Sequence, residues 1–360
     1  MTDRASLPTD RELVTTATRA LQERLPSTWA LSLGEAPQPW APDADSVLSL
    51  RSPDGAEVAV IVEVKSVVEP RDVAAMQDRL VRLLSRHPGS IGLVVSRYLS
   101  TSARARLAEA GLSYADASGN MLVRADEPGL FLSDRGADRD PWRGPGRPRQ
   151  TLAGEPAAKV VRALADLAGP WKIRELVRAA AVSTGSAYRV LAFLESEDLV
   201  RRDGAGLISV PDWRALLRRW SEDYRFLGTN AVLRCIAPRG LPAFLDQIRG
   251  AGVDNYALTG SVAAAAWQPY APVRSVMVYA GDPEQAADAW GARATDAGTN
   301  VLIARPAYPV VLDRTTEALD GLVVAAPTQV AVDLMTGPGR APSEAAELLD
   351  WMERHEDAWR

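Results

Sequence analysis

The stretch that most narrows what this chain can fold into runs from Glu155 to Tyr224, with WKIRELVRAAAVSTGSAYRVLAFLESEDLVRRDGAGLISV at its centre. Val160, Val161, Leu164 and Leu167 recur at the spacing of a helix with one buried stripe, and that helix stops at Gly169-Pro170. Ile173, Leu176, Val177 and Ala180 make a second short helix, and Val182-Ser183-Thr184-Gly185 is a tight connection into a third. The third helix buries Val190, Leu191 and Leu194, which leaves Ser183, Thr184, Ser186, Tyr188 and Arg189 facing outward near its start. Arg201-Arg202-Asp203-Gly204-Ala205-Gly206 followed by Leu207-Ile208-Ser209-Val210 reads as two short strands around a glycine-bearing turn. Three helices and a ribbon in this order form a winged helix-turn-helix.

Hydroxyl, phenol and guanidinium groups are the side chains that contact base edges and phosphates in a duplex. The helix beginning at Ser183 is therefore expected to enter the major groove, with Arg201 and Arg202 of the wing on the backbone or in the minor groove. The alternative is a plain three-helix packing module that joins the outer domains. The clustering of these groups where a reader helix starts favours double-stranded DNA.

A chain of 360 residues is too long for one ordinary core, so two or three domains are expected. The formal net charge of -5 excludes a molecule that is basic all over, so any DNA contact has to come from a local patch. A single cysteine, Cys235, and two histidines, His87 and His355, leave no disulfide framework and no Cys/His zinc site. The opening MTDRASLPTDRELV has no apolar core of signal-peptide type, and no run approaches the roughly 18 apolar residues of a membrane span. A cytoplasmic protein with no membrane partner is expected.

Residues 10–25 read as an amphipathic helix with Asp10 as its cap, and a Pro- and Trp-bearing loop follows. Val47 to Leu50, a Ser52-Pro53-Asp54-Gly55 turn and an apolar strand from Val58 to Val64 form a hairpin. Glu63 and Lys65 stand at i and i+2, on one face at the strand's end, and Asp45 starts the neighbouring strand. Two carboxylates and a lysine so placed are what metal-assisted phosphodiester cleavage needs, since hard oxygens hold Mg²⁺ and the ammonium orients water. With a helix over 71–87, a strand over 91–95, a helix over 102–110 and strands at 113–116 and 120–123, the region resembles the PD-(D/E)XK nuclease superfamily. The resemblance implies a restriction-endonuclease-like domain over residues 1–133, with Asp45 and Glu63 as metal ligands and Lys65 beside them as catalytic groups. Glu12 or Glu23 would match a further acidic residue on the first helix, and the sequence does not choose between them. A nuclease fold kept only for binding, or an exposed charge pair at a strand end, is the alternative.

Residues 134–154 read as a basic Pro/Gly linker. Within it Pro145-Gly146-Arg147-Pro148-Arg149 resembles an AT-hook core, which implies Arg147 and Arg149 in a narrow minor groove; a simple tether is the alternative. The winged helix spans 155–225, and the helix after its wing offers Arg214, Arg218 and Arg219 either to phosphate or to solvent.

Residues 226–360 alternate strands and helices as a third, α/β domain. A helix is expected over 283–297, strands near 301–303, 310–312 and 322–325, and two closing helices. Leu258-Thr259-Gly260-Ser261 resembles the turn that opens nucleotidyltransferase folds, but the strand that should carry two carboxylates reads Arg274-Ser275-Val276-Met277-Val278-Tyr279. Nucleotidyltransferase activity is therefore not expected. With Gln329, Asp333-Leu334, Gly339-Arg340 and the helix Glu344 to Leu349, residues 155–360 resemble the AbiEi-type antitoxins of type IV toxin-antitoxin pairs. That resemblance implies a DNA-binding transcriptional regulator with a cognate toxin or other protein partner, and palindromic DNA would favour a homodimer. It departs from the family in carrying a further domain ahead of the winged helix. The expected molecule is thus an α/β multidomain, sequence-specific regulator. The alternatives are a metal-dependent DNA endonuclease targeted by its winged helix, and a protein-interaction scaffold.

Overall fold

The computed structural model describes residues 7–33, 43–142 and 151–360. The chain divides into two compact units, Met1–Arg149 with Ser196–Asp198, and Gln150–Glu195 with Leu199–Arg360. Where the sequence suggests three domains, the winged helix and the C-terminal α/β domain share one unit.

The first unit runs α1 (Asp10–Arg24), β1 (Ala30–Leu33), β2 (Ser46–Arg51), β3 (Glu57–Val64), α2 (Val73–Arg86), β4 (Ile91–Ser96), α3 (Thr101–Glu109), β5 (Ser113–Asp116), β6 (Met121–Ala125) and β7 (Leu130–Asp134). Its seven strands lie in chain order in one sheet. The first three are antiparallel, β3, β4 and β5 are parallel, and the last pairs turn antiparallel again. A parallel β3–β4 pair requires a crossover, and α2 supplies it. Successive β3 residues point to opposite faces, so Val60 and Val62 meet Leu13, Ala17 and Leu21 of α1, while Ile61 meets Met76 and Leu80 of α2 and Leu107 of α3. A strand covered on both faces reads as the continuous apolar run seen from Val58 to Val62.

Thr9, not Asp10, caps α1: its side chain accepts from the Glu12 amide while the Glu12 carboxylate accepts from the Thr9 amide at 2.7 Å. A capping threonine with Glu three residues on satisfies two orphan amides at once, which an aspartate inside the first turn does not. The loop expected after α1 contains the edge strand β1. Residues 134–142, linker by composition, are tied to the first unit: Arg97 pairs with Asp140 at 3.1 Å and the Tyr98 hydroxyl donates to the Asp138 carbonyl at 2.9 Å.

The second unit opens with α4 (Glu155–Asp166), α5 (Ile173–Ala179), α6 (Thr184–Ser196), β8 (Arg201–Arg202), β9 (Ile208–Ser209) and α7 (Trp213–Asp223). It continues through α8 (Phe226–Thr229), β10 (Ala231–Ile236), α9 (Leu241–Gly250), β11 (Tyr256–Thr259), α10 (Gly260–Ala264), β12 (Val276–Ala280), α11 (Pro283–Ala289), β13 (Arg293–Ala294), β14 (Val301–Arg305), β15 (Thr316–Ala318), β16 (Leu322–Val324), α12 (Pro327–Met335) and α13 (Ala341–Arg354). The larger sheet has the order β13-β10-β14-β12-β11-β16-β15. One continuous core holds Leu164, Leu216 and Trp220 of the winged helix together with Tyr279, Val330 and Met352 beyond it. The helix expected over 283–297 ends at Ala289, because Gly291 takes φ 65° just past the cap residue Trp290 and stops it. Residues Pro309–Leu312 form a 3₁₀ turn where a strand is expected. Proline at its start supplies no amide for a ladder.

Candidate nucleic-acid interface

The turn between α5 and α6 is made by Ala181, held at φ 49°, and the third helix starts at once. Ser183 caps it, its Oγ accepting from the Ser186 amide at 3.2 Å and its carbonyl from the Ala187 amide at 3.0 Å. Ala187, Leu191 and Leu194 are buried, which fixes the rotation of α6 and turns Ser183, Thr184, Tyr188 and Arg189 outward. Ser183 Oγ donates to Ser186 Oγ at 3.0 Å, and Arg189 Nη2 donates to the same oxygen at 3.1 Å, so the polar groups of the first two turns form one chain. Tyr188 is 46% exposed, and the Arg202 guanidinium lies 5.9 Å above its ring centre. Arg202 also pairs with Glu195 at 2.9 Å, which orients the base of the wing against the reader helix. The wing turn is held by Asp203, whose Oδ1 accepts from Ala205 at 2.9 Å and Leu207 at 2.8 Å. Trp171 bridges to Ile208 as a third short piece of the ribbon. Arg201 is exposed beside Arg202.

This is a reader helix with a polar, solvent-facing start and a wing beside it, and residues 157–204 match the sequence profile of the IclR helix-turn-helix domain. The chain carries an IclR-type DNA-binding domain. Searches of curated proteins and of solved structures return no match. The IclR-type domain supports a DNA-binding transcription regulator, and among the described residues no helix is long and apolar enough to cross a membrane.

Two arginines offered to phosphate on sequence grounds are engaged elsewhere. Arg214 binds Asp350 and Glu353 of α13, each at 2.6 Å, and Arg219 binds Asp223 at 2.7 Å. Arg214 thus ties α7 to α13 and Arg219 is engaged within α7, while Arg218 is exposed. Arg147 and Arg149 lie outside the described residues.

In the first unit, Asp45 and Glu63 converge on one guanidinium. Arg79 of α2 stands 3.3 Å from Glu63 Oε1 and 3.7 Å from Asp45 Oδ1, and donates to the Asp43 carbonyl at 2.9 Å. Asp45 Oδ2 accepts from the Val64 amide at 2.7 Å. Glu63 is 8% exposed and its Oε2 has no hydrogen-bond partner. Burial pushes the Glu63 carboxyl above its ordinary range; Arg79 opposes that shift, the Asp45 charge adds to it and Lys65 opposes it more weakly. Lys65, the residue after β3, pairs with Asp72 at 2.9 Å. Glu12 is spent on its helix cap, and Glu23 stands 3.9 Å from Arg24. Magnesium requires about six oxygens in a near-octahedral cage at about 2.1 Å. Here one Asp45 oxygen is taken by an amide, an oxygen of each carboxylate faces a guanidinium, and no group of three or more metal-ligating side chains occurs among the described residues. The donor set does not fit the divalent cation that the nuclease resemblance implies.

The Thr259-Gly260 turn is also committed internally. Thr259 Oγ1 donates to Asp333 at 2.6 Å, and a Cβ on Gly260, at φ 65°, would sit 2.7 Å from Met277 Sδ. All of β12 is buried, and Val276 to Ala280 include no carboxylate. Asp333 accepts in addition from the Tyr279 hydroxyl at 2.8 Å and Gln329 Nε2 at 3.0 Å, and Tyr279 shares a hydrogen bond of 2.9 Å with Tyr224 of the winged helix. Arg162 of α4, 2% exposed, donates to Asp166 at 2.9 Å, to Gln329 Oε1 at 3.1 Å and to the Val310 carbonyl at 3.0 Å. Sequence reasoning found Gln329 and Asp333 but missed Arg162, Asp166, Tyr224 and Tyr279, which complete the network.

Proposed function

We propose that this protein is a sequence-specific transcriptional regulator of the AbiEi-antitoxin type, binding double-stranded DNA through α6 and the wing. The observation that carries the reading is the polar, outward face of α6 from Ser183 to Arg189 beside the two exposed wing arginines, within the segment that matches the IclR helix-turn-helix domain. Thr184, Tyr188 and Arg189 stand at the end of the reader helix that meets base edges, and Arg201 and Arg202 meet the backbone. A cytoplasmic homodimer on a palindromic site fits two such helices about one duplex turn apart. Support for the antitoxin type is the tail, in which Gln329 and Asp333 lock α12 to the sheet and Arg340 pairs with Glu344 at 2.7 Å. A cognate toxin is the partner this type implies.

The test is a gel-shift titration at fixed salt against selected operator DNA. Arg189→Ala should cost about 1–3 kcal/mol at the base pair it reads and relax choice there, whereas Arg201→Ala should weaken every sequence alike and lower the salt slope by about 1. Unchanged binding in both variants would show that another surface holds the DNA. The nuclease reading of the first unit is supported as a fold by the order helix, three-strand meander, helix, parallel strand. As an activity it has to contend with the Arg79 contacts.

A further inference from the structure

Asp45, just ahead of β2, and Glu63, near the end of the neighbouring β3, need a counter-charge, because an ionised oxygen next to an apolar interior is costly to leave unpaired. In a metal-dependent phosphodiesterase that charge is a divalent cation. In this chain the cation comes from its own crossover helix. Arg79 lies on the exposed side of α2, three residues on from Met76 and next to Leu80, both of which are buried against the sheet. From there the guanidinium reaches Glu63 Oε1 at 3.3 Å, Asp45 Oδ1 at 3.7 Å and the Asp43 carbonyl at 2.9 Å. The Lys65 ammonium, which a cleavage site would keep beside the same carboxylates, is held by Asp72 at 2.9 Å. Glu63 nonetheless keeps one oxygen, Oε2, buried and unpartnered. The pair therefore retains unused ligating capacity behind the guanidinium.

We propose that Arg79 is the resident counter-ion of Asp45 and Glu63, so that this domain works without a divalent cation, and that removing the guanidinium opens a latent divalent-cation site on the same carboxylates. The first unit is then a non-cleaving module that keeps the strand order of a nuclease. A planar guanidinium is always charged and cannot be chelated away, so the pair stays neutralised whatever the metal supply. The inference is independent of the regulator reading, since it concerns a unit that the DNA-binding helix does not belong to.

The experiment is a Mn²⁺ titration of the full chain, followed by electron paramagnetic resonance of the free ion and by thermal melts with Mn²⁺ or with chelator. The wild-type protein should show no saturable site at millimolar Mn²⁺, and its melting temperature should be the same in both buffers. Arg79→Met, which keeps the apolar stem, should gain one site at least about tenfold tighter than any wild-type binding, and Glu63→Gln in that background should abolish it. Saturable, stoichiometric Mn²⁺ binding by the wild type that is lost in Glu63→Gln would overturn the proposal. A folded Arg79→Met protein that gains no site would overturn it equally. Should Arg79→Met fail to fold, the wild-type titration still decides whether the native pair takes a metal.

Discussion

Asp333 is fully buried, and burial pushes its carboxyl up to about 7 from an ordinary 3.8, against the hydrogen bonds of Thr259, Tyr279 and Gln329 and the charge of Arg162. In the unfolded chain the group ionises near pH 4, while in the folded protein it holds its proton to about pH 7. Its contribution to stability is therefore full below pH 4 and is lost as pH rises through 7. Asp333→Asn keeps a neutral group with an acceptor in place, so its urea midpoint should be flat from pH 5 to pH 8, where the wild-type midpoint falls by the equivalent of a few kcal/mol, order of magnitude. A wild-type midpoint as flat as the variant's would mean that Asp333 is ionised throughout. Arg162 is the second such residue. Truncating it to Met strands Asp166 and the Gln329 carbonyl in the core, and should cost about 3–5 kcal/mol in a denaturation curve. Asp333 and Gln329 stand out in the sequence through their resemblance to the antitoxin tail, but Arg162 does not. Its acceptors lie 148 and 167 residues away, and an arginine inside a helix reads by default as a solvated side chain. Arg79 is illegible for the same reason.

Helices in this chain are legible because their period is local. The buried stripe of α6 follows from Leu191 and Leu194, while Val190, read as buried with them, is half-buried, and the wing follows from a glycine-bearing turn between two short apolar runs. Short edge strands are not legible. β1, β13 and β15 have four, two and three residues, too few to show alternation; β1 and β13 are defined by partners remote in sequence, and β15 by a tight hairpin with β16. The reader helix carries one local strain that tests its placement. Ala181 is left-handed at φ 49° in the turn before α6, a conformation that costs a residue with a Cβ roughly 1–2 kcal/mol. Ala181→Gly removes that cost but gives the unfolded chain about 0.4–1 kcal/mol of extra freedom. The net expectation is a gain of up to about 1 kcal/mol in chemical denaturation, with operator affinity unchanged because the α5–α6 angle is preserved. A loss of stability would mean that the turn is not left-handed at Ala181.

With a net charge of -5, the molecule as a whole does not attract DNA, so the binding proposed for α6 and the wing rests on a small local face and should weaken steeply with salt. That face is held rigid by the rest of its unit. Trp220 is fully buried and Tyr224 nearly so; Tyr224 shares its hydroxyl with Tyr279, and Trp213 of α7 meets Trp359 edge-on at 5.0 Å. A winged helix cut out at residue 225 would expose these aromatic faces and leave the Arg162–Asp166 pair without its outer acceptors. The fragment 151–360 should therefore unfold in one transition and bind operator DNA as the whole chain does. The fragment 151–225 should melt at least about 10 °C lower, since each kcal/mol lost moves the midpoint of so small a domain by about 4–8 °C. Circular dichroism melts of the two fragments, with anisotropy titrations on the same DNA, separate the outcomes. Equal melting temperatures would mean that the C-terminal domain lends the reader helix nothing. A lower one with affinity recovered on cooling would mean that the C-terminal domain acts through stability alone and leaves the DNA-contacting groups as α6 and the wing already hold them.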